Sequence, residues 1–206
     1  MTAGQRPELR LVPDTTSTIP STTRTSTKDE DAELVRAMRA GDAHAAMEIY
    51  RLHASAAEKM IVRMLGYVPE RVDLLHDVFV RVLEGIDSLK DPSSLRAWIS
   101  GIAVRRAQEH IRTRKRAMSE LPADAVAWTG DPEVSLTMRR VYALIDRLDV
   151  DERAAFVLRR IEGMELQEIA TLVETSLATV KRRIARAEKL FEEWAAADPV
   201  LREKVT

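Results

Sequence analysis

The 206-residue chain has no cysteine, only seven glycines and only 4% aromatic residues. Without cysteine there are no disulfides and no thiolate metal sites, which fits a reducing compartment. With so few rings, any core must be built from Leu, Val, Ile, Ala and Met. Scarce glycine beside 32% charged residues favours helix. No apolar run approaches the ~20 residues needed to span a bilayer. The opening stretch "MTAGQRPELRLVPDTTSTIPSTTRTSTK" lacks the apolar centre of a signal peptide. These absences predict a cytoplasmic protein without membrane insertion. The histidines (His44, His53, His76 and His110) are scattered, and no nucleophile, phosphate loop or metal spacing is visible. That argues against an enzyme and predicts no cofactor and no metal.

What is present is helical periodicity, divided by one weakly patterned stretch. Residues 1–28 are rich in Thr, Ser and Pro and are expected to be a disordered arm. Asp29 or Asp31 could cap the helix that follows. From there to 116 the pattern is helical throughout, with Gly66 a plausible helix stop. In "PERVDLLHDVFVRVLEGIDSL", Leu74, Leu75, Val78, Phe79, Val82, Leu83 and Ile86 form the stripe of a buried helix face. Ser93 or Ser94 could cap the next helix. Residues 117–133 contain two prolines and a glycine and read as a flexible linker. Helical pieces return over 134–198, followed by a short tail, 199–206. The expected fold is all-α, two small helical domains on a tether.

The segment "EIATLVETSLATVKRRIARAEKL" reads as a helix-turn-helix closing the second domain. Ile169, Leu172 and Val173 supply one inner face, and Ala170 the small residue at the crossing. Leu177, Val180 and Ile184 supply the other, with Thr175 or Ser176 as cap. Thr179, Lys181, Arg182, Arg183 and Arg186 then fall mainly on other faces. Arginine there suits phosphates and guanine edges, because its planar fork donates two parallel bonds. The first domain also partitions charge: "RRAQEHIRTRKR" carries six basic residues against Glu109, while the preceding helix offers Asp73, Asp77 and Glu84. A net charge of -1 conceals two opposed local fields.

These segments, in this order, resemble a bacterial RNA polymerase sigma factor of the extracytoplasmic-function (ECF) class. "VDLLHDVFVRVLEGIDSL" is similar to that family's polymerase-binding helix through Asp73, Leu74, Leu75, Asp77 and Phe79. "SLRAWISGIAVRRAQEHIRTRKR" resembles its minus-10-reading helix, with Trp98, Ile102, Ala103 and Ala107 in place. The stretch from Ile145 to Ala187 resembles its minus-35-reading domain through Gly163, Glu168-Ile169-Ala170, Thr179-Val180-Lys181, Arg183 and Arg186-Ala187. Four positions depart from the family pattern: Glu174 and Ala178 stand where glycines are usual, Arg105 where Asn is common, and Ser100 where an aromatic is frequent.

The resemblance implies core polymerase, promoter DNA and an anti-sigma factor as partners. It implies polymerase contacts at Asp73, Leu74, Asp77, Val78 and Arg81. Minus-10 contacts are implied at Ser88, Lys90, Ser93, Ser94, Trp98, Arg105, Arg106 and Arg112, and minus-35 contacts at Thr179, Lys181, Arg182, Arg183 and Arg186. The alternative is a free-standing helix-turn-helix regulator, which leaves the first domain's matches unexplained. Promoter elements two helical turns apart lie ~70 Å apart. The two domains' own radii cover ~30 Å of that and leave ~40 Å, while a linker of about sixteen residues relaxes to ~20–24 Å and extends to ~55 Å, so it reaches only when stretched. A polymerase surface that pins both domains would supply that geometry.

Overall fold

The computed structural model describes residues 26–119 and 136–202. The first 25 residues, most of the expected linker and the last four residues lie outside the described residues. Among those described there is no strand, and no helix is long and apolar enough to cross a membrane.

Four helices build the first domain: α1 (Lys28–Arg39), α2 (Ala43–Leu65), α3 (Arg71–Gly85) and α4 (Leu95–Ser119). Neither Asp29 nor Asp31 caps α1. Thr27 does, in a reciprocal capping box with Glu30. Asp31 is buried instead, and its carboxylate lies 3.0 Å from His53 Nε2, pinning α1 onto α2. Burial lowers the His53 pKa, against the pull of Asp31. Helix α2 stops at Gly66, whose φ of 75° is open to glycine and costly for other residues. Asp91, rather than Ser93 or Ser94, accepts the cap bond of the short turn Pro92–Ser94 that leads into α4. The core between α2, α3 and α4 is aliphatic, as the composition demands. Ile61, Val78, Val82, Leu95, Ala103 and Val104 are fully buried, with Tyr50 edge-on to Phe79.

The second domain comprises α5 (Leu136–Arg147), α6 (Val150–Phe156, widening into a π turn over Val157–Ile161), α7 (Leu166–Leu172), α8 (Leu177–Ala197) and α9 (Pro199–Arg202). Helix α4 runs to Ser119, past the expected boundary at 116. The expected tail begins as α9 and buries Leu201, so the packed unit extends beyond 198. Leu148, Leu158, Ile169, Val180 and Ala187 form the inner core, and Phe156 stacks obliquely on Phe191.

The two domains share a face. Helix α4 packs against α6 and α7, α2 meets the π turn, and the buried residues form one continuous cluster. Tyr142 lies against Gly66, where an added Cβ would sit 3.6 Å from the ring. The guanidinium of Arg153, 1% exposed, donates to the Met64 carbonyl across the junction at 3.1 Å and to Asp146 at 2.5 Å.

Candidate nucleic-acid and polymerase interface

The helix-turn-helix is α7–α8. Ile169, Ala170 and Leu172 are buried on one side, Val180 and Ile184 on the other. Ser176 is the cap of α8: its Oγ accepts from the Thr179 backbone N–H at 3.2 Å and lies 2.9 Å from the Thr179 hydroxyl. The turn bends through Glu174, the one non-glycine residue with positive φ (52°) among the described residues. Holding a side chain there costs roughly 1 kcal/mol. With the inner face locked, Lys181 and Arg182 stand exposed near the start of α8 without a protein partner among the described residues. Arg183 and Arg186 are engaged: Arg183 donates to Asp151 at 2.6 Å, and Arg186 lies 3.1 Å from Glu152.

In the first domain, the expected polymerase residues divide. Asp73, Asp77 and Arg81 are exposed on α3, whereas Leu74 is 5% and Val78 0% exposed. Leu74 and Val78 point into the core, so they brace α3 from beneath and offer no surface to a partner. The outer face carries apolar residues that the pattern did not single out as contacts: Val72, Val80 and Leu83, each about half exposed. Leu83, assigned to the buried stripe from its spacing, belongs to this outer row. On α2, Met47 is exposed as well. The missed signal was the valine row 72, 76, 80 interrupted by His76: four-residue spacing marks one helix face whether that face is inner or outer.

Arg106 bridges α3 and α4, donating to both Asp77 and Glu109. Burial opposes its charge, yet the two carboxylates outweigh that and its pKa ends raised. Thus an expected polymerase contact, Asp77, and an expected DNA contact, Arg106, neutralise one another. Beside them opens a cleft of about 340 Å³ lined by Gly85, Ser88, Trp98, Ile102 and Arg105. Trp98 is half-buried, lines the cleft and lies close to Gly85. Ser88 uses its hydroxyl on the Gly85 carbonyl, and Ser93 and Ser94 use theirs on Asp91. Lys90 is exposed without a protein partner among the described residues.

The loop holding Ser88 and Lys90 is itself anchored from α1. Arg39 donates to the carbonyls of Ile86 at 2.8 Å and Leu89 at 2.5 Å. Nothing in the periodicity separates Arg39 from a solvated residue, because its partners are backbone atoms some fifty positions away. Arg105 and Arg112 of α4 pair across the domain junction, with Glu174 at 3.0 Å and Asp151 at 2.9 Å.

Two family models match the chain in the expected order. Sigma-70 region 2 matches residues 49–117, and Sigma-70, region 4 matches residues 138–191. The chain belongs to the sigma-70 family of RNA polymerase sigma factors, in the ECF class. The RNA polymerase sigma-H factor of Pseudomonas aeruginosa is 28% identical over 192 residues, 86% of this chain and 98% of the relative. The ECF RNA polymerase sigma-E factor of Escherichia coli is 25% identical over 179 residues, 79% of this chain and 92% of that one. Two solved structures share the fold. CnrH, in complex with the cytosolic domain of CnrY, has a TM-score of 0.60 at 24% identity, covering 82% of this chain and 98% of that one. The sigma factor RpoE of Bartonella quintana, with the anti-sigma factor NepR, has a TM-score of 0.59 at 21% identity, covering 74% and 97%. The region 2 match accounts for the first domain, which a free-standing regulator leaves unexplained. The protein is a polymerase-binding sigma factor.

Proposed function

We propose that α3 is the polymerase-docking element, that the α3–α4 cleft and α4 engage the minus-10 element, and that α8 reads the minus-35 element. The observation that carries this reading is the exposed pair Lys181 and Arg182 on a helix whose inner face is fixed by α7. That arrangement suits insertion into a major groove. On α3, the exposed Val72, Val80 and Leu83 beside Asp73 and Asp77 suit a partner with an apolar centre and basic rim. Trp98, which lines the cleft, offers an indole ring to a flipped base, and a pocket must offset the few kcal/mol of unstacking. Lys90, Arg105 and Arg112 would hold the displaced strand by charge. The protein acts in the cytoplasm by binding alone and catalyses no reaction. An anti-sigma factor, the class of partner bound to the Bartonella neighbour, is the proposed inhibitor.

Pull-down with core polymerase followed by run-off transcription from a dependent promoter tests the whole reading. On α3, Val80→Asp is expected to weaken polymerase capture by about 1–2 kcal/mol while leaving the helical signal intact, since the side chain is already half exposed. Unchanged capture would remove the outer row from the interface. Asp77→Arg is the less clean probe, because it also places a second cation against Arg106.

A further inference from the structure

The last carbonyls of a helix have no donor within the helix and carry its negative dipole end. At the end of α3 the chain runs on through the turn Ile86–Ser88 and a short loop to Asp91 before α4 begins. Two apolar anchors hold this stretch down: Ile86 and Leu89 are buried, while Asp87, Ser88 and Lys90 are exposed. Buried side chains fix where the loop sits, but not how the peptide planes between them are turned. A guanidinium from another helix does that. Arg39 Nη2 donates to the Ile86 carbonyl at 2.8 Å and to the Leu89 carbonyl at 2.5 Å, and Arg39 Nε donates to Ile86 again at 3.3 Å. One nitrogen therefore spans the turn, and the Asp87 carboxylate lies 3.8 Å from Nε. Ser88 lines the cleft with Trp98, so the setting of this turn shapes the cleft.

Arg39 is itself firmly placed. It is the last residue of α1, one turn beyond the fully buried Val35. Asp31 and His53 join the same helix to α2, and α1 packs on both Ile86–Ser88 and Pro92–Ser94. We propose that Arg39 is a positioning residue for minus-10 recognition. It touches no DNA: it sets the backbone of the α3–α4 loop, so that Ser88 and Lys90 meet the promoter in one geometry. The inference rests on the function proposed above, which assigns this cleft to the minus-10 element, and adds the residue that holds the reading loop. Selectivity of this kind is sensitive to displacements of about 1 Å in the contacting groups. Ile86 and Leu89 keep their burial without the guanidinium, so losing it should loosen the loop without unfolding the domain.

Arg39→Met keeps the apolar stem and removes every donor. The full-length variant, assembled with core polymerase, is assayed by run-off transcription on a promoter library randomised across the minus-10 element. Preference for the best base should fall about five- to tenfold at the positions that the double variant Ser88→Ala, Lys90→Ala also alters. Preference at the minus-35 element and capture of core polymerase should change less than twofold. Arg39→Lys, whose ammonium can still donate to both carbonyls, should recover most of the minus-10 preference. In the Ser88→Ala, Lys90→Ala background, Arg39→Met should add less than twofold, because the side chains it acts through are gone. Wild-type preference in Arg39→Met, an even loss on all promoters with every preference ratio intact, or a full additive effect in the loop background would each overturn the positioning role. If the double loop variant itself leaves minus-10 preference unchanged, the loop does not read the promoter. The functional reading of the cleft then fails, and the role of Arg39 fails with it.

Discussion

Helices α4 and α8 are both basic, yet they present their charge differently. On α4, the three arginines assigned to DNA are all occupied: Arg105 by Glu174, Arg106 by Asp77 and Glu109, Arg112 by Asp151. On α8, Lys181 and Arg182 are bare among the described residues, while Arg183 and Arg186 are tied to α6. The difference follows from what each helix packs against. Helix α4 lies between α3 and the second domain, so its cations meet acids on two sides. Near the start of α8, Lys181 and Arg182 are exposed and have no partner among the described residues. Composition alone ranks α4 as the richer anion site, but geometry ranks α8 as the one ready to bind.

The largest effect should come where the charge is bare. Arg182→Ala is expected to cost about 1–3 kcal/mol of discrimination at one base pair of the minus-35 element. Its thermal stability should stay within about 0.5 kcal/mol of wild type, since the exposed side chain has no partner among the described residues. Transcription from a library of randomised upstream elements, with core polymerase present, measures the first quantity, and thermal melts the second. Unaltered base preference would reduce the bare pair to a solvated face. Arg106→Ala should behave in the opposite way. It removes a charge-assisted bond that joins α4 to Asp77 of α3 and a second within α4 to Glu109, so about 1–2 kcal/mol of stability should be lost. A stable Arg106→Ala protein with weakened strand binding would break the contrast and return Arg106 to the DNA contacts.

Much of this was legible in the sequence, and the reasons it was legible mark where it stopped. The helix-turn-helix follows from local periodicity and a cap, and Ile169, Ala170, Val180, Ile184 and Ser176 take the expected places. Gly66 ends α2 because a left-handed residue leaves few choices. The α3 stripe identified the buried face but was also read as a partner surface, and Leu74 and Val78 cannot serve both purposes. Periodicity says that two residues share a face, not which way that face points. Pairs across the domain junction, such as Arg112 with Asp151, were out of reach. They join residues 39 positions apart that look like independent solvated charges. Arg39 was hidden for the same reason, its partners being carbonyls that every residue carries.

Tyr142 gives a smaller and separable effect that isolates the junction from the charges. Burial raises its pKa from 10 to about 12, with the Tyr67 phenol adding to the rise and Arg63 opposing it. The packed state therefore prefers the neutral phenol. Its contribution is complete below pH ~10, begins to fall above that, and is lost as pH rises through the raised value. Near pH ~11 the loss should be about 1 kcal/mol. Interdomain packing should weaken over this window in wild type and much less in Tyr142→Phe, which keeps the ring against Gly66. Identical alkaline profiles for the two proteins would show that the phenol does not report the junction.

The smallest expected effect belongs to Arg186, the residue of α8 that most resembles those of α4. It lies one turn beyond the bare pair, its side chain is 72% exposed, and Glu152 stands 3.1 Å away. A phosphate contact contributes at every promoter and adds about 0.9 to the slope of log affinity against log salt. Arg186 must leave Glu152 to make that contact, so part of the gain is offset by a lost pair. Arg186→Ala should therefore lower binding evenly across promoter sequences and flatten the salt slope by about one unit or less. Measuring the slope with Glu152→Gln sharpens the comparison. Without its partner Arg186 becomes as bare as Arg182, and the slope should steepen toward the full value. A loss confined to one base position would place Arg186 among the base readers. The division of α8 into a bare reading pair and tied anchors would then fail.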